Sequence, residues 1–258
     1  NLPEHPEEIT PAFMSWALAK QYPGVTVTAC EVVDVNAATA TKVRVRLSYN
    51  DEGIAARLPS TMIVKGPFSR NAELMEHTFT DEMRAYRDVV SDIGVNTCRC
   101  YFAEKQGINP ILILEDLATP DCQFSNVQRL MSFDEAKSIL SALATLHARY
   151  WEHPGLADDG EFSWVLRTVT GWHLDFMEAN STPEQWAFFS QLPRGCALPQ
   201  HTLRNRERLV AAMRKQFAFH QSGEPLTLCH GDAHVWNVYF NARGGGLIDW
   251  EMRRSPWY

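Results

Sequence analysis

The chain has no C-x-x-C pair. Its six cysteines, Cys30, Cys98, Cys100, Cys122, Cys196 and Cys229, are scattered, and the tightest spacing is the "CRC" at Cys98–Cys100. This argues against zinc ribbons and fingers and makes a disulfide framework a poor account of a 258-residue chain. Buried free thiols in a reducing compartment are expected instead, and hence a cytoplasmic location. Long apolar runs are also lacking. The densest, "ILIL" at Ile111–Leu114, has the length of a strand rather than of a membrane span. The first residues, "NLPEHPEEITPAF", do not show the basic-then-apolar order of a signal peptide. Positive charge is in deficit: 24 Lys and Arg against 31 Asp and Glu leave a net charge of −7, the wrong sign for a broad nucleic-acid surface. Neither a membrane nor a nucleic acid is therefore expected as a partner. No internal repeat and no low-complexity tract is found.

What remains is a globular composition. Hydrophobic residues make up 45% and charged residues 21%, and the length allows one large domain or two lobes with a substantial core.

The elements follow from periodicity and punctuation. "ITPAFMSWALAKQYPG" reads as a helix with Thr10 as N-cap, Pro11 in the first turn and a stop at Pro23–Gly24. "VTVTACEVVDV" and "KVRVRLSYN" alternate with a period of two and form a strand pair, and "STMIVKG" is a third strand. "AELMEHTFTDEMRAYRDVVSDIG" is a helix ending near Gly94, with Met75, Phe79, Met83, Tyr86 and Val90 on one face. "NPILILEDLATPD" is a buried strand running out through an acidic pair into a connector. "SFDEAKSILSALATLHARYWE" begins with the capping box Ser132–Glu135 and carries a stripe of Ile139, Leu143, Leu146 and Tyr150. "HTLRNRERLVAAMRKQFAFHQSG" is a further helix, stopped by Gly223. Short strands "LTLC", "NVYF" and "GGLIDW" surround the segment that carries the chemistry. A strand-rich part thus precedes a helical part, an α+β layout.

That segment is "CHGDAHVWNVYF", followed by "GGLIDWE". Asp232, Asn237 and Asp249 sit among Leu, Ile, Val and Trp, where carboxylates are costly unless something pairs with them. The spacing H-x-D-x-x-x-x-N is that of a kinase catalytic loop, in which the Asp accepts a substrate hydroxyl proton and the Asn holds a metal. Asp249 then supplies the hard anionic oxygen that Mg²⁺ prefers. Upstream, Lys65 ends the apolar run "MIV", an expensive place for an unpaired ammonium. Glu82 shares the apolar face of the next helix, three residues after Phe79 and four before Tyr86. Lys65 and Glu82 are expected to satisfy each other, with Glu76 as the competing partner.

These residues carry a resemblance. "MIVK", "DEMRAY", "LILEDL", "LATLHARYW", "CHGDAHVWN" and "LIDWE" make the chain resemble the aminoglycoside phosphotransferase and choline kinase-like superfamily of small-molecule kinases, and most of all its ecdysteroid-kinase-like branch. The resemblance implies a bilobal protein-kinase-like fold with ATP in the cleft: an N-terminal lobe over 1–114, a hinge at 115–120 and a helical C-terminal lobe over 121–258. It implies that the backbone of Glu115, Asp116 and Leu117 holds adenine. It also implies Asp232 as base, Asn237 and Asp249 as Mg²⁺ ligands, Lys65 as a phosphate contact paired with Glu82, and a small-molecule hydroxyl as the acceptor. His230 is expected to brace the loop and His147 to pack between helices. Further helices walling the acceptor pocket are expected after the nine residues that follow Asp249.

The chain departs from protein kinases in three places. No G-x-G-x-x-G lies between the first two strands, where the turn is "NAATATK". Gly231 stands where protein kinases have Arg before the Asp, and Trp250–Glu251 stand in place of Phe-Gly. These departures point away from activation-loop control and from protein substrates. The acceptor class is open between a flat apolar alcohol and a cation, because residues 151–189 hold Trp151, Trp164, Trp172, Trp186, Phe162, Phe176, Phe188 and Phe189 among scattered acids. Most of those aromatics are expected in helix cores. Two rival readings are a metal-dependent hydrolase using His230, Asp232 and His234, and a non-catalytic nucleotide-binding module.

Overall fold

The computed structural model describes residues 1–37, 40–68, 76–167, 171–203 and 205–256, without the side chains of 171–173, 202 and 203. Met75, the side chain of Trp172 and part of the "NAATATK" turn lie outside the described residues. By contacts the chain forms two units, Asn1–Arg149 with His230–Met252, and Tyr150–Cys229 with Arg253–Tyr258.

In the first unit, helix α1 (Pro11–Ala19) starts as its sequence dictates, with Thr10 Oγ1 accepting from Phe13 N at 3.2 Å. It lies against a five-stranded antiparallel sheet. The strands are β1 (Val27–Ala37), β2 (Thr41–Tyr49), β3 (Thr61–Gly66), β5 (Cys100–Gln106) and β6 (Asn109–Glu115), in the order β1-β2-β3-β6-β5. The two-residue period sorts the side chains. Val43, Val45 and Leu47 of β2, Met62 and Val64 of β3, and Ile111 and Ile113 of β6 join Met14, Ala17 and Leu18 of α1 in one buried cluster. Their neighbours Lys42, Arg44, Ile63, Lys65 and Leu114 therefore face the other way, and the candidate site is built there.

Helix α3 (Glu76–Asp88) packs on β5 and β6 and buries Phe79, Glu82, Met83 and Tyr86. It ends at Asp88 rather than near Gly94. A 3-10 turn, Val90–Asp92, takes over, and Gly94 leaves it at φ +79°. The short helix α2 (Asp51–Ala55), capped by Asn50, and the strand β5 are among the elements without a clear periodic signal. Helix α4 (Phe133–Arg149) shows the expected capping box, with Glu135 N on Ser132 Oγ at 3.2 Å and Ser132 N on Glu135 Oε2 at 2.8 Å. A second sheet, in the order β4-β10-β9-β7, joins β4 (Asn96–Thr97), β7 (Gln123–Phe124), β9 (Val238–Asn241) and β10 (Gly244–Leu247). It carries the loop 230–237 before β9 and residues 248–251 after β10.

The second unit pairs β8 (Leu226–Cys229) with β11 (Arg253–Pro256) and holds helices α5 (Gly171–Ala179), α6 (Pro183–Gln191), α7 (Pro193–Cys196), α8 (Gln200–Leu203) and α9 (Arg206–Ser222). Buried Arg254 ties the unit together, donating to Val165 O and Leu156 O at 2.7 Å each. "LTLC" and "NVYF" thus belong to different sheets, because β8 takes β11 as its partner. The one helix read over 201–223 is two helices on either side of residue 204, and α9 stops at Gly223 as expected. The aromatic stretch departs from expectation more strongly. Phe162 is buried, but Trp151, Phe176, Phe188 and Phe189 are exposed. Helix α6 buries none of its described residues, and the rings of Phe188 and Phe189 lie against each other with centroids 5.4 Å apart. No described helix is long and apolar enough to cross a membrane, and all six cysteines are free, Cys98 buried and Cys196 exposed.

Candidate active site

Lys65, at the end of the apolar run of β3, meets Glu82 from the inner face of α3. Its Nζ lies 2.6 Å from Glu82 Oε2, and the two side chains are 8% and 6% exposed. Burial alone would strip the charge from this ammonium, but Glu82 and Asp249 outweigh burial and hold its pKa above the ordinary lysine value. Burial pushes the Glu82 carboxyl up, and Lys65 opposes that. The competing carboxylate, Glu76, is taken by Lys105 at 2.6 Å.

Asp249 closes the group. Its Oδ1 accepts from Lys65 Nζ at 2.7 Å and its Oδ2 from Lys42 Nζ at 3.0 Å. Burial would raise this carboxyl's pKa, but the two lysines hold it well below the usual carboxylate range. Its backbone sits at φ +57°, a left-handed conformation that Asp adopts more readily than most residues but still at a cost. That conformation is fixed through Ile248, whose N donates to Asn237 O at 3.0 Å and whose O lies 3.0 Å from His230 Nε2. The residue before Asp249 is thereby tied to both ends of the 230–237 loop.

Within that loop, His230 is 1% exposed. Its Nδ1 accepts from Asp232 N at 3.2 Å, so the proton sits on Nε2 and is donated to Ile248 O. Its ring stacks on fully buried Trp250 at 4.6 Å. Burial lowers its pKa to about 4, so the ring is neutral near pH 7. Asn237 Nδ2 donates to Asp232 O at 3.0 Å and to Asp232 Oδ2 at 3.1 Å, bringing the two predicted loop residues together. His234 Nε2 lies 3.2 Å from the same Oδ2. Gly231 has a local reason for being glycine. Its φ is +90°, and a Cβ there would stand 2.0 Å from Glu251 O.

A cavity of ≈240 Å³ opens beside the group, lined among others by Lys42, Lys65, Asp249, Ile63 and the segment Glu115–Leu117. Asp232 and Asn237 are not among its lining residues and join it through Ile248. The connector is held stiffly. Arg44 Nε and Nη2 reach the two carboxylate oxygens of Asp116 at 2.9 and 3.3 Å, and Glu115 Oε2 accepts from Arg99 N at 3.0 Å. The Asp116 and Glu115 side chains are thus committed, and Glu115 N donates to Arg99 O at 2.8 Å. A larger hollow of ≈950 Å³ near Arg99 and Arg243 contains none of the predicted residues.

Among the described residues no group of three or more His, Cys, Asp or Glu side chains is placed to hold a metal ion. The hydrolase set of His230, Asp232 and His234 fails on hydrogen bonding, since both ring nitrogens of His230 are engaged. Hard oxygens are what Asp249 and the side-chain carbonyl of Asn237 offer, and this donor chemistry suits Mg²⁺. Lys42 and Arg44 were missed from sequence. The signal was in "KVRVRL": the residues alternating with Val43, Val45 and Leu47 must leave the sheet on the side of Lys65.

The profile of the Ecdysteroid kinase-like family matches residues 36–254, most of the chain. No curated protein sequence matches it. Among solved structures, a GDP complex of an aminoglycoside 2'-phosphotransferase of type IIIa aligns at 12% identity and TM-score 0.48, over 95% of this chain and 73% of that one. An aminoglycoside-3'-phosphotransferase of type VIII aligns at 19% identity and TM-score 0.49, over 95% and 78%. A putative fructosamine-3-kinase from Haemophilus somnus 129PT aligns at 14% identity and TM-score 0.44, over 93% and 71%. Identities and scores this low leave the assignment to the family match. With residues 36–254 covered, and with the branch read from "ILEDL" and "LHARYW" the same, this chain belongs to the Ecdysteroid kinase-like family.

Proposed function

We propose that the chain is an ATP-dependent small-molecule kinase that transfers the γ-phosphate of ATP to a hydroxyl of a small organic acceptor. The observation that carries the reading is Lys65, buried between Glu82 and Asp249 on the wall of a cavity that Glu115, Asp116 and Leu117 also line. An isolated buried ammonium is too costly to keep, and here two carboxylates hold its charge in place for an anionic ligand. In this reading Glu115, Asp116 and Leu117 present backbone to the base. Lys65, positioned by Glu82, binds phosphate oxygens. Asp232 accepts the acceptor's hydroxyl proton, and Asn237 Nδ2 holds that carboxylate in place. Asn237 and Asp249 are the residues that would hold Mg²⁺, which when bound neutralises charge developing on the phosphates. Neutral His230 adds no charge to the loop and fixes its shape through Asp232 N and Ile248 O. The lobes at 1–114 and 121–258 with a hinge at 115–120, and a cytoplasmic location, belong to the same proposal.

A small acceptor is favoured over a protein. Trp250 is fully buried, stacked on His230 and bonded through Nε1 to Thr97 Oγ1 at 3.1 Å, so the position after Asp249 is locked rather than free to swing. Incubation with labelled ATP and Mg²⁺ against a small-alcohol library and a peptide library tests both parts. Labelled small molecules are expected; labelling of peptides alone would overturn the acceptor class, and no transfer to either would overturn the kinase reading.

A further inference from the structure

Lys42 has no task in the mechanism above. It lies on β2 directly opposite Lys65 of β3 in the antiparallel register, so the two side chains leave the sheet on one face. Like charges placed directly opposite destabilise a strand pair unless an anion lies between them. Here the anion is the Asp249 carboxylate, shared as Oδ1 to Lys65 at 2.7 Å and Oδ2 to Lys42 at 3.0 Å. The row continues to Asn36 of β1, opposite Lys42, and Asn36 also lines the cavity. The other cavity cations are committed: Arg44 to Asp116, and Lys65 to Glu82 as well as Asp249. Lys42 Nζ has Asp249 as its one hydrogen-bond partner among the described residues, and the side chain is 35% exposed where that of Lys65 is 8%.

We infer that Lys42 is a second binding residue for the phosphates of the nucleotide. The inference rests on the nucleotide-binding reading of this cavity. The sequence "NAATATK" over 36–42 holds no glycine, and Lys42, within β2 at its end, supplies a cationic donor for phosphate oxygens. Asp249 has a single carboxylate. When it turns to a metal ion, two ammonium groups on one sheet face lose their common counter-charge, and an anionic polyphosphate restores it. A neutral nucleoside leaves them facing each other. The recognised chemistry is therefore the triphosphate, not the base.

Calorimetric titration of the full chain with ATP, inorganic tripolyphosphate and adenosine, for wild type, Lys42→Met and Lys42→Arg, tests this. Loss of one charge-assisted contact is expected to weaken ATP and tripolyphosphate roughly tenfold. Adenosine binding stays unchanged and Lys42→Arg recovers most of the loss. The same loss is expected in an Asp249→Asn background with tripolyphosphate in metal-free buffer. Should Lys42→Met melt early, Lys42→Gln makes the same comparison with a polar end retained for Asp249. Equal ATP affinity in wild type and Lys42→Met overturns the inference and leaves the nucleotide reading standing. A loss that vanishes in the Asp249→Asn background also overturns it, reducing Lys42 to a partner of Asp249. A wild type that binds neither ATP nor tripolyphosphate overturns both.

Discussion

Lys65 Nζ lies 2.6 Å from Glu82 Oε2, with both side chains nearly sealed from solvent, while Glu76 at the start of the same helix holds Lys105 instead. The choice matters energetically. Removing one member of a buried pair leaves the other charged and unpaired, at a cost of several kcal/mol, whereas an exposed pair such as Lys105–Glu76 contributes little.

Lys65→Ala is therefore expected to raise KM for ATP and to lower kcat, and Glu82→Gln to show a milder version of both. The double variant should lose less than the sum, because the residues act as a unit. Steady-state kinetics on the four proteins measure the coupling, and strict additivity would detach Glu82 from the function of Lys65. Glu76→Gln, away from the pair, should leave both constants near wild type.

Asp232→Asn keeps the size of the side chain and an oxygen for Asn237 Nδ2, so the fold and ATP binding should survive. Loss of a general base lowers kcat by about a hundredfold or more. Near wild-type kcat with the true acceptor would remove Asp232 from that role.

Asp249→Ala should abolish the Mg²⁺-dependent part of ATP stabilisation, and Asn237→Ala should weaken it less, because a carboxylate is the stronger hard ligand. Thermal shifts with ATP at graded Mg²⁺ rank the two. Equal and unchanged shifts in both variants would take these residues out of the site.

His230 predicts a pH dependence of stability. Its folded pKa is about 4 against an ordinary 6.5, lowered by burial although Asp232 and Asp249 pull it upward and His234 opposes them. Between these values the unfolded chain binds the extra proton, so the stability tied to neutral His230 is whole above pH 6.5 and declines as the pH falls toward 4. The loss between pH 7 and pH 5 is roughly 2 kcal/mol. His230→Gln cannot titrate and keeps a donor for Ile248 O, so denaturation curves at the two pH values should show a smaller decline than in wild type. The same decline in both proteins would mean that His230 is not the group responsible.

Local order was legible in the chain. The N-cap of α1, the capping box of α4, the alternation of β2 and β3, and the spacing from Asp232 to Asn237 each involve residues a few positions apart, where side-chain period and hydrogen-bond reach act directly. The ends of elements were less legible: α3 stops at Asp88 because a 3-10 turn, not the glycine, takes over. Pairings across the chain could be narrowed but not decided. Lys65 had two carboxylates within reach on one helix, and packing of α3 on β5 and β6 chose Glu82. Lys42 and Asp249 are 207 positions apart, and only the register of β2 on β3, together with the left-handed backbone of Asp249, brings them together. Gly231 reads in sequence as a lost arginine, and in the structure as the one residue type that clears Glu251 O at φ +90°. "LTLC" pairs with β11 rather than with the neighbouring "NVYF". A residue's type and period determine which way it can point, whereas the closing of distant segments determines what it meets, since that depends on the burial of the whole chain and not on any local preference.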